Sequence, residues 1–530
     1  MEKEKSSAQV SPHKIFGALI LLNLILAMVV VIFPTGQILL GNNYSLKFVP
    51  LKKIFEKDTS QKVDAMEVIA DVKTVDTSLV VLDTKALEKI KKEKIDVPED
   101  KQIQYPDNTR NAMVAFLQSL VKLDHDATHV RVIHYGDSQL EGDRISDYLR
   151  NRLQLRFGGW GPGVILPYDV SNSRVSVRQS ESKNWIKYAI YGKTPKAPNG
   201  YYGIGGSSYR YSSGVALKSD GGEKDEIVKK YVKKKVQSDD GTITYTIDSN
   251  SFYYDTVRVR TNQNIAGNSA WIKILNATAS YPRVRQYNRL TLLYSADEPF
   301  NLKLKVNDGM EINETITNSA AMAKSWDLGE VSTGIHLSFS GKSPYLYGVA
   351  LDGNTGIAVD NFPMRGSSAL GFESINVEML SQLYKQTNVK LIILEFGINL
   401  VPNPKTNYDW YLKLFAKQLE TIRKAAPDVS ILVIGPSDMS RKTASGYESY
   451  PNLTLIRDAM KKAAFDNKCA FWDLYTAMGG RNSMSSWVSN KLASKDYTHF
   501  STEGARYVSE MLYNTLMEEY QEYLKELGVL

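Results

Sequence analysis

Hydrophobic and polar positions fall into four textures along the chain. Residues 15–33, IFGALILLNLILAMVVVIF, are apolar except for Asn23 and carry no charge. As a helix rising about 1.5 Å per residue, the run reaches roughly 28 Å, the depth of a hydrocarbon core. It exceeds a typical signal-peptide core, and no clean small-x-small site follows it. The pattern predicts an uncleaved transmembrane anchor over 15–33 behind a cytoplasmic tail, 1–14. Lys3, Lys5 and Lys14 precede the span and Lys47, Lys52 and Lys53 follow it, so the positive-inside bias is nearly balanced. The short tail and long body favour a single-pass protein of the cell membrane, its body on the outer (periplasmic) side.

From 34 to 107 charged runs such as ALEKIKKEKIDVPEDK mix with short apolar pieces, and no period is sustained. This reads as a stalk or linker with one short helix. At 108 the texture changes. Met113, Phe116, Leu117, Leu120 and Val121 recur at helical spacing, then HVRVIHYGDS reads as a β-branched strand entering a turn, and Gln139 to Phe157 as a second helix. Between about 175 and 349 short alternating runs (TITYTI, DTVRVRT, SAWIKIL, RLTLLYS, NLKLKV, IHLSFS) broken by Asn, Asp and Gly predict an antiparallel sandwich. After 350 strands and helices alternate again: GIAVDN, VKLIILEFG, SILVIGP and AFWDLY, with helices near 373–386, 408–425, 453–467 and 502–524. The fold class is therefore α/β: one domain in two parts, 108–175 and 350–530, split by a β-sandwich inserted at 176–349.

Composition narrows the function without naming it. Of 530 residues 43% are hydrophobic and 23% charged, which is globular rather than disordered. The net charge of +7 over so large a surface is too dilute for a nucleic-acid binder, and no motif for one is present. Cys469 is alone, which excludes an intramolecular disulfide framework and a cysteine zinc cluster. No cofactor or metal is expected.

The candidate chemistry lies at strand ends. Gly136-Asp137-Ser138 closes one predicted strand. Asp496-Tyr497-Thr498-His499 occupies the loop before the last helix, which Ser501 or Thr502 can cap. A serine hydroxyl is a poor nucleophile until an imidazole takes its proton, and the imidazole needs a carboxylate to fix its tautomer. Ser138, His499 and Asp496 supply those three groups. His134, close to the serine, reads as a packing or hydrogen-bonding strand residue. Acyl transfer also needs N–H donors for a developing oxyanion. The Ser138 N–H, Gly366 in DNFPMRGSS and Asn399 in LEFGINL stand at three strand ends on the same edge. FGGWGPG (157–163) reads as a flexible aromatic loop bordering a substrate groove.

These blocks, Gly136-Asp137-Ser138, Gly366, Gly397-x-Asn399 and Asp496-x-x-His499, resemble those of the SGNH (GDSL-like) hydrolase superfamily over 108–175 and 350–530. The resemblance implies a flavodoxin-like three-layer α/β/α domain. It also implies a Ser138–His499–Asp496 triad with an oxyanion hole of Ser138, Gly366 and Asn399. Gln139 departs from the pattern, standing where many members have Leu, and is expected not to touch the triad. An SGNH domain carrying an inserted, carbohydrate-binding-like β domain is similar to envelope O-acetylesterases acting on peptidoglycan or exported polysaccharide. The expected activity is a serine esterase on O-acetyl esters of an envelope glycan, with the acylated glycan and the membrane as partners. The same triad also suits an O-acetyltransferase fed by a membrane-bound acyltransferase, and a third reading is a non-catalytic glycan-binding protein.

Overall fold

Five aliphatic runs build the central sheet of the protein, a computed structural model that describes residues 11–33, 37–39, 45–47, 63–74, 84–168, 174–212, 217–237, 243–265, 268–307, 309–329, 334–444 and 446–529. They are β1 (His129–Gly136), β2 (Gly356–Pro363), β3 (Val389–Glu395), β4 (Ser430–Ile434) and β5 (Ala470–Trp472). The order is β2-β1-β3-β4-β5, every pair parallel. This is the flavodoxin-like doubly wound order, whose switch point lies between β1 and β3. Successive residues of a strand point to opposite faces, so a sheet covered on both sides needs runs apolar throughout. Ile392 and Ile393 show it, neighbours on β3 that enter different cores.

Each face is covered by helices whose apolar stripes the spacing had indicated. α1 (Pro12–Ile32) belongs to the N-terminal unit, Met1–Lys62. On one face lie α2 (Val114–His125), α3 (Ser146–Phe157) and the last helix; Phe116, Leu149 and Leu512 meet beneath them. On the other lie α4 (Val377–Gln386), α5 (Asp409–Ala425) and α6 (Leu453–Asp466), with Leu380, Phe415 and Met460 inside. The last helix, α7 (Thr502–Glu526), is capped by Ser501, whose Oγ accepts the Gly504 N–H at 3.1 Å.

The insertion is a two-sheet antiparallel sandwich. One sheet orders 310–316, 300–306, 334–341, 269–276 and 177–181; the other orders 319–327, 289–296, 345–352, 207–211 and 185–189, with 163–165 beside 345–352. Their inner faces close on Ile272, Leu302, Leu304, Leu337 and Phe339 against Leu290, Leu292 and Tyr294. The pairing thus runs from Gly163 to Asp352, wider than the expected 176–349. The TITYTI and DTVRVRT runs are not sandwich strands: their backbone forms a separate hairpin, Leu217–Gln237 against Ile243–Ile265.

Two expectations are corrected here. The stalk expected over 34–107 belongs, from Val63 onward, to the body. Ala65 is buried with its N–H on Ser486 Oγ (2.9 Å), Val97 N–H reaches Glu518 (3.1 Å), and Gln104 bridges Phe471 of β5. Its apolar residues are too sparse for a period because each fills one gap in a surface built elsewhere. The loop FGGWGPG is not a flexible groove edge either. A Cβ on Gly159 would stand 2.5 Å from Ile357 O, and one on Gly161 2.1 Å from Leu351 O, so the glycines mark tight backbone crossings. They lie at the start of β2, where Ile357 pairs with Val130, at the edge of the sheet opposite the serine. The expected anchor falls on α1; among the described residues no helix is long and apolar enough to cross a membrane.

Candidate active site

The site assembles because β1, β2 and β3 end together. Pro363 pairs with Gly136 and Glu395 pairs with Gly136, which places the segments after all three strands side by side. Gly136 is required by that closeness: a Cβ there would meet Leu140 at 2.6 Å and Glu395 O at 2.8 Å. Its carbonyl accepts the Met364 N–H (2.7 Å), and the Asp137 N–H donates to Glu395 O (3.1 Å). The Asp137 carboxylate is buried and accepts the N–H groups of Gln139 (3.0 Å) and Ile398. Burial pushes its carboxyl well above the usual range, with Glu395 adding to the shift.

Ser138 follows at the start of a 3₁₀ turn (Ser138–Asp143), partly exposed. Its Oγ lies 2.8 Å from His499 Nε2, and His499 Nδ1 lies 2.7 Å from Asp496 Oδ2. Asp496 accepting at Nδ1–H leaves Nε2 as the acceptor for the serine hydroxyl, the tautomer that a general base needs. The other oxygen, Asp496 Oδ1, accepts the Thr498 N–H (3.0 Å) and the His499 N–H (3.1 Å). Burial pushes the Asp496 carboxyl up, but the hydrogen bonds from the His499 ring and the two backbone N–H groups outweigh it, leaving it below the usual range. Tyr497, between them, takes a left-handed φ of 56° and stacks on Tyr447 with ring centroids 3.5 Å apart. A bulky residue in that conformation is strained, and strain of this kind gathers at functional turns.

The three expected oxyanion donors meet at the same edge. Asn399 Nδ2 donates to Ser367 O at 2.8 Å, tying the turn after β3 to the Gly366–Ser367 turn after β2. A primary amide carries two N–H groups, so one remains for a ligand. Gly366 has φ 74°, with open space where a Cβ would stand; its backbone conformation, not crowding, favours glycine.

Under the serine lies a buried polar floor that the sequence did not reveal. His134 is fully buried; its Nε2 meets Glu395 at 3.1 Å and its Nδ1 meets Ser146 Oγ at 3.1 Å. That is the hydrogen-bonding role expected of it. Ser146 donates to Asn361 (2.9 Å), whose amide reaches Leu140 O (3.0 Å) and Asp143 (2.7 Å) and so holds the kink after Ser138. Burial opposes ionisation of Asp143, but Arg174 and Arg150 overcome it and bring its carboxyl down to about 2. Gln139 bonds no triad side chain, as expected, but it has partners that the sequence did not suggest. It is buried, and its amide contacts Thr498 O (2.9 Å), Ser437 Oγ (3.2 Å) and the Phe500 N–H (3.4 Å), all near the histidine. Its one visible signal was a polar side chain at a position where leucine is common. Among the described residues no cluster of His, Cys, Asp and Glu is arranged to hold a metal ion.

No family model matches the chain, and no curated protein matches it by sequence. Among solved structures it is similar to a peptidoglycan O-acetylesterase, at 19% identity over 79% of this chain and 99% of that one, with a TM-score of 0.55. That is a likeness of fold over most of the chain. A family two carbohydrate esterase from Cellvibrio japonicus matches at 7% identity over 57% of this chain and 99% of that one, with a TM-score of 0.22. An acetyl xylan esterase matches at 16% identity over 30% and 81%, with a TM-score of 0.23.

Proposed function

We propose that the chain is a serine esterase that removes O-acetyl groups from a cell-envelope glycan, peptidoglycan being the first candidate. The observation that carries this is the relay from Ser138 Oγ through His499 to Asp496 at 2.8 and 2.7 Å, drawn from segments 361 residues apart in sequence. Ser138 Oγ attacks the ester carbonyl while His499 Nε2 takes its proton, and Asp496 stabilises the imidazolium. The oxyanion of the tetrahedral intermediate is held by the N–H groups of Ser138 and Gly366 and by the Asn399 amide. Collapse breaks the C–O bond to the sugar, whose oxygen receives the proton from His499. Water then attacks the acetyl-serine with His499 again as base, releasing acetate and restoring Ser138. The side chains of His499 and Asp496 are 29% and 50% exposed, so water has access to the general base that the hydrolytic step requires.

The glycan part rests on the likeness of fold, over 79% of this chain, to a peptidoglycan O-acetylesterase. The test is acetate release by the full chain from 4-nitrophenyl acetate, O-acetylated peptidoglycan and an acetylated soluble polysaccharide, against Ser138→Ala and His499→Ala. Wild-type release from peptidoglycan, abolished in both variants, is expected. Equal release by wild type and Ser138→Ala contradicts the proposal.

A further inference from the structure

We infer that Gln139 is a positioning residue for the general base, holding the main chain on both sides of His499. The inference rests on the triad reading above but concerns a residue outside it. His499 Nε2 must keep its distance to Ser138 although its segment is exposed at Lys495 and Asp496. Asp496 orients the ring from within the same turn, so a shift of the whole turn would carry ring and carboxylate away together. The turn is fastened from elsewhere by the Ser440 N–H on Tyr497 O (3.1 Å) and by Arg144 on Phe500 O (3.5 Å), and a contact from beside the nucleophile would fix it relative to Ser138 itself. Gln139 is next to Ser138 and 2% exposed. Its Nε2 donates to Thr498 O at 2.9 Å, one residue before His499, and its Oε1 accepts the Phe500 N–H at 3.4 Å, one residue after. The second N–H of the amide reaches Ser437 Oγ (3.2 Å), beyond the end of β4. A carbonyl and an N–H flanking one residue can both be served by a primary amide, and no apolar side chain does so.

The clamp is itself fixed. The Gln139 N–H donates to Asp137 Oδ1 (3.0 Å), and Asp137 takes the Ile398 N–H as well. The turn carrying Ser138, the turn carrying Asn399 and the segment carrying His499 therefore share one buried set of hydrogen bonds. An apolar residue at 139 leaves Thr498 O and the Phe500 N–H to find other partners, and the imidazole loses its fixed approach to the serine. Misplacement of a catalytic group by about 1 Å can cost on the order of 10²-fold in rate.

The test uses the full chain as wild type, Gln139→Met, which keeps length and volume without the amide, and Gln139→Glu, which keeps the acceptor for Phe500 but opposes Thr498 O. Two readouts are taken: kcat and KM on 4-nitrophenyl acetate, and the downfield proton resonance of His499 Nδ1–H, assigned by its loss in His499→Ala. Folding is checked by near-ultraviolet circular dichroism. The expected result is a fall in kcat of roughly 10- to 100-fold with KM within about threefold. The His499 resonance should broaden or move in the same variants. Either folded variant keeping kcat within about twofold, with the resonance unchanged, overturns the inference. If the wild type hydrolyses no ester, the proposed function fails, while the resonance still shows whether Gln139 holds His499.

Discussion

The carboxylate of Asp496 is committed to its own turn, one oxygen to the backbone of Thr498 and His499 and the other to the His499 ring. Asp496→Asn removes the charge but keeps an acceptor, so it is expected to lower kcat by about 10³–10⁴-fold with little change in Tm. Kinetics beside a thermal melt check it. Asn399→Ala should cost about 10²-fold in kcat through loss of the proposed oxyanion donor, and should also lower Tm because the bond to Ser367 O is lost. Away from the site, Asp147 lies 3.1 Å from Arg150, and burial pushes its carboxyl up to about 7 despite that partner. The unfolded chain releases this proton near pH 4. Between those values the folded state binds the extra proton, so stability falls as pH rises from about 4 to about 7. Asp147→Asn should flatten that slope by about one proton, measured by denaturant unfolding across the range; an unchanged slope would contradict the assignment. At this scale Ser138, His499 and Asp496 were legible because their chemistry fixes their residue types. Gln139 and the His134–Ser146–Asn361 floor were not, since any polar side chain reads the same until its partners, hundreds of residues away, are known.

Among the elements, β1 carries the heaviest load. Its far end holds Arg131, buried between Asp360 of β2 (2.5 Å) and Asp352, the last residue of the sandwich strand 345–352. Its near end presents Ser138. One strand thus joins the insertion to the sheet and delivers Ser138, the proposed nucleophile. Removing a partner from a buried ion pair leaves charge without compensation, a loss of about 3–5 kcal/mol. Arg131→Leu is expected to lose that much in chemical denaturation, and a loss below about 1 kcal/mol would show the seam to be held by packing instead. The five sheet strands and the helices from α2 to α7 were readable from period alone, because a covered parallel strand has no polar face to confuse it. The long hairpin at 217–265 was not, because its alternation is the same as that of a sandwich strand.

For the whole molecule, the order β2-β1-β3-β4-β5 explains why residues from opposite ends of the sequence meet: the switch point gathers the ends of β1 and β3, and the last loop returns to it. The sandwich was legible as an insertion, though its margins were not, since Gly163–Ile165 is too short to show a period. The placement of residues 63–74 and 84–107 on the body was hidden for a similar reason: isolated apolar residues say nothing of the surface they fill. The membrane anchor remains a proposal on α1, and sedimentation of the full chain with membranes after alkaline washing tests it; release into the soluble fraction would contradict it. The central claim concerns Ser138, and the most direct measurement is covalent. The full chain is treated with a fluorophosphonate, digested, and the modified residue located by tandem mass spectrometry, with His499→Ala alongside. The expected result is one adduct, on Ser138, strongly reduced in the variant. Modification elsewhere with Ser138 untouched, or equal labelling in His499→Ala, would contradict a serine activated by that histidine.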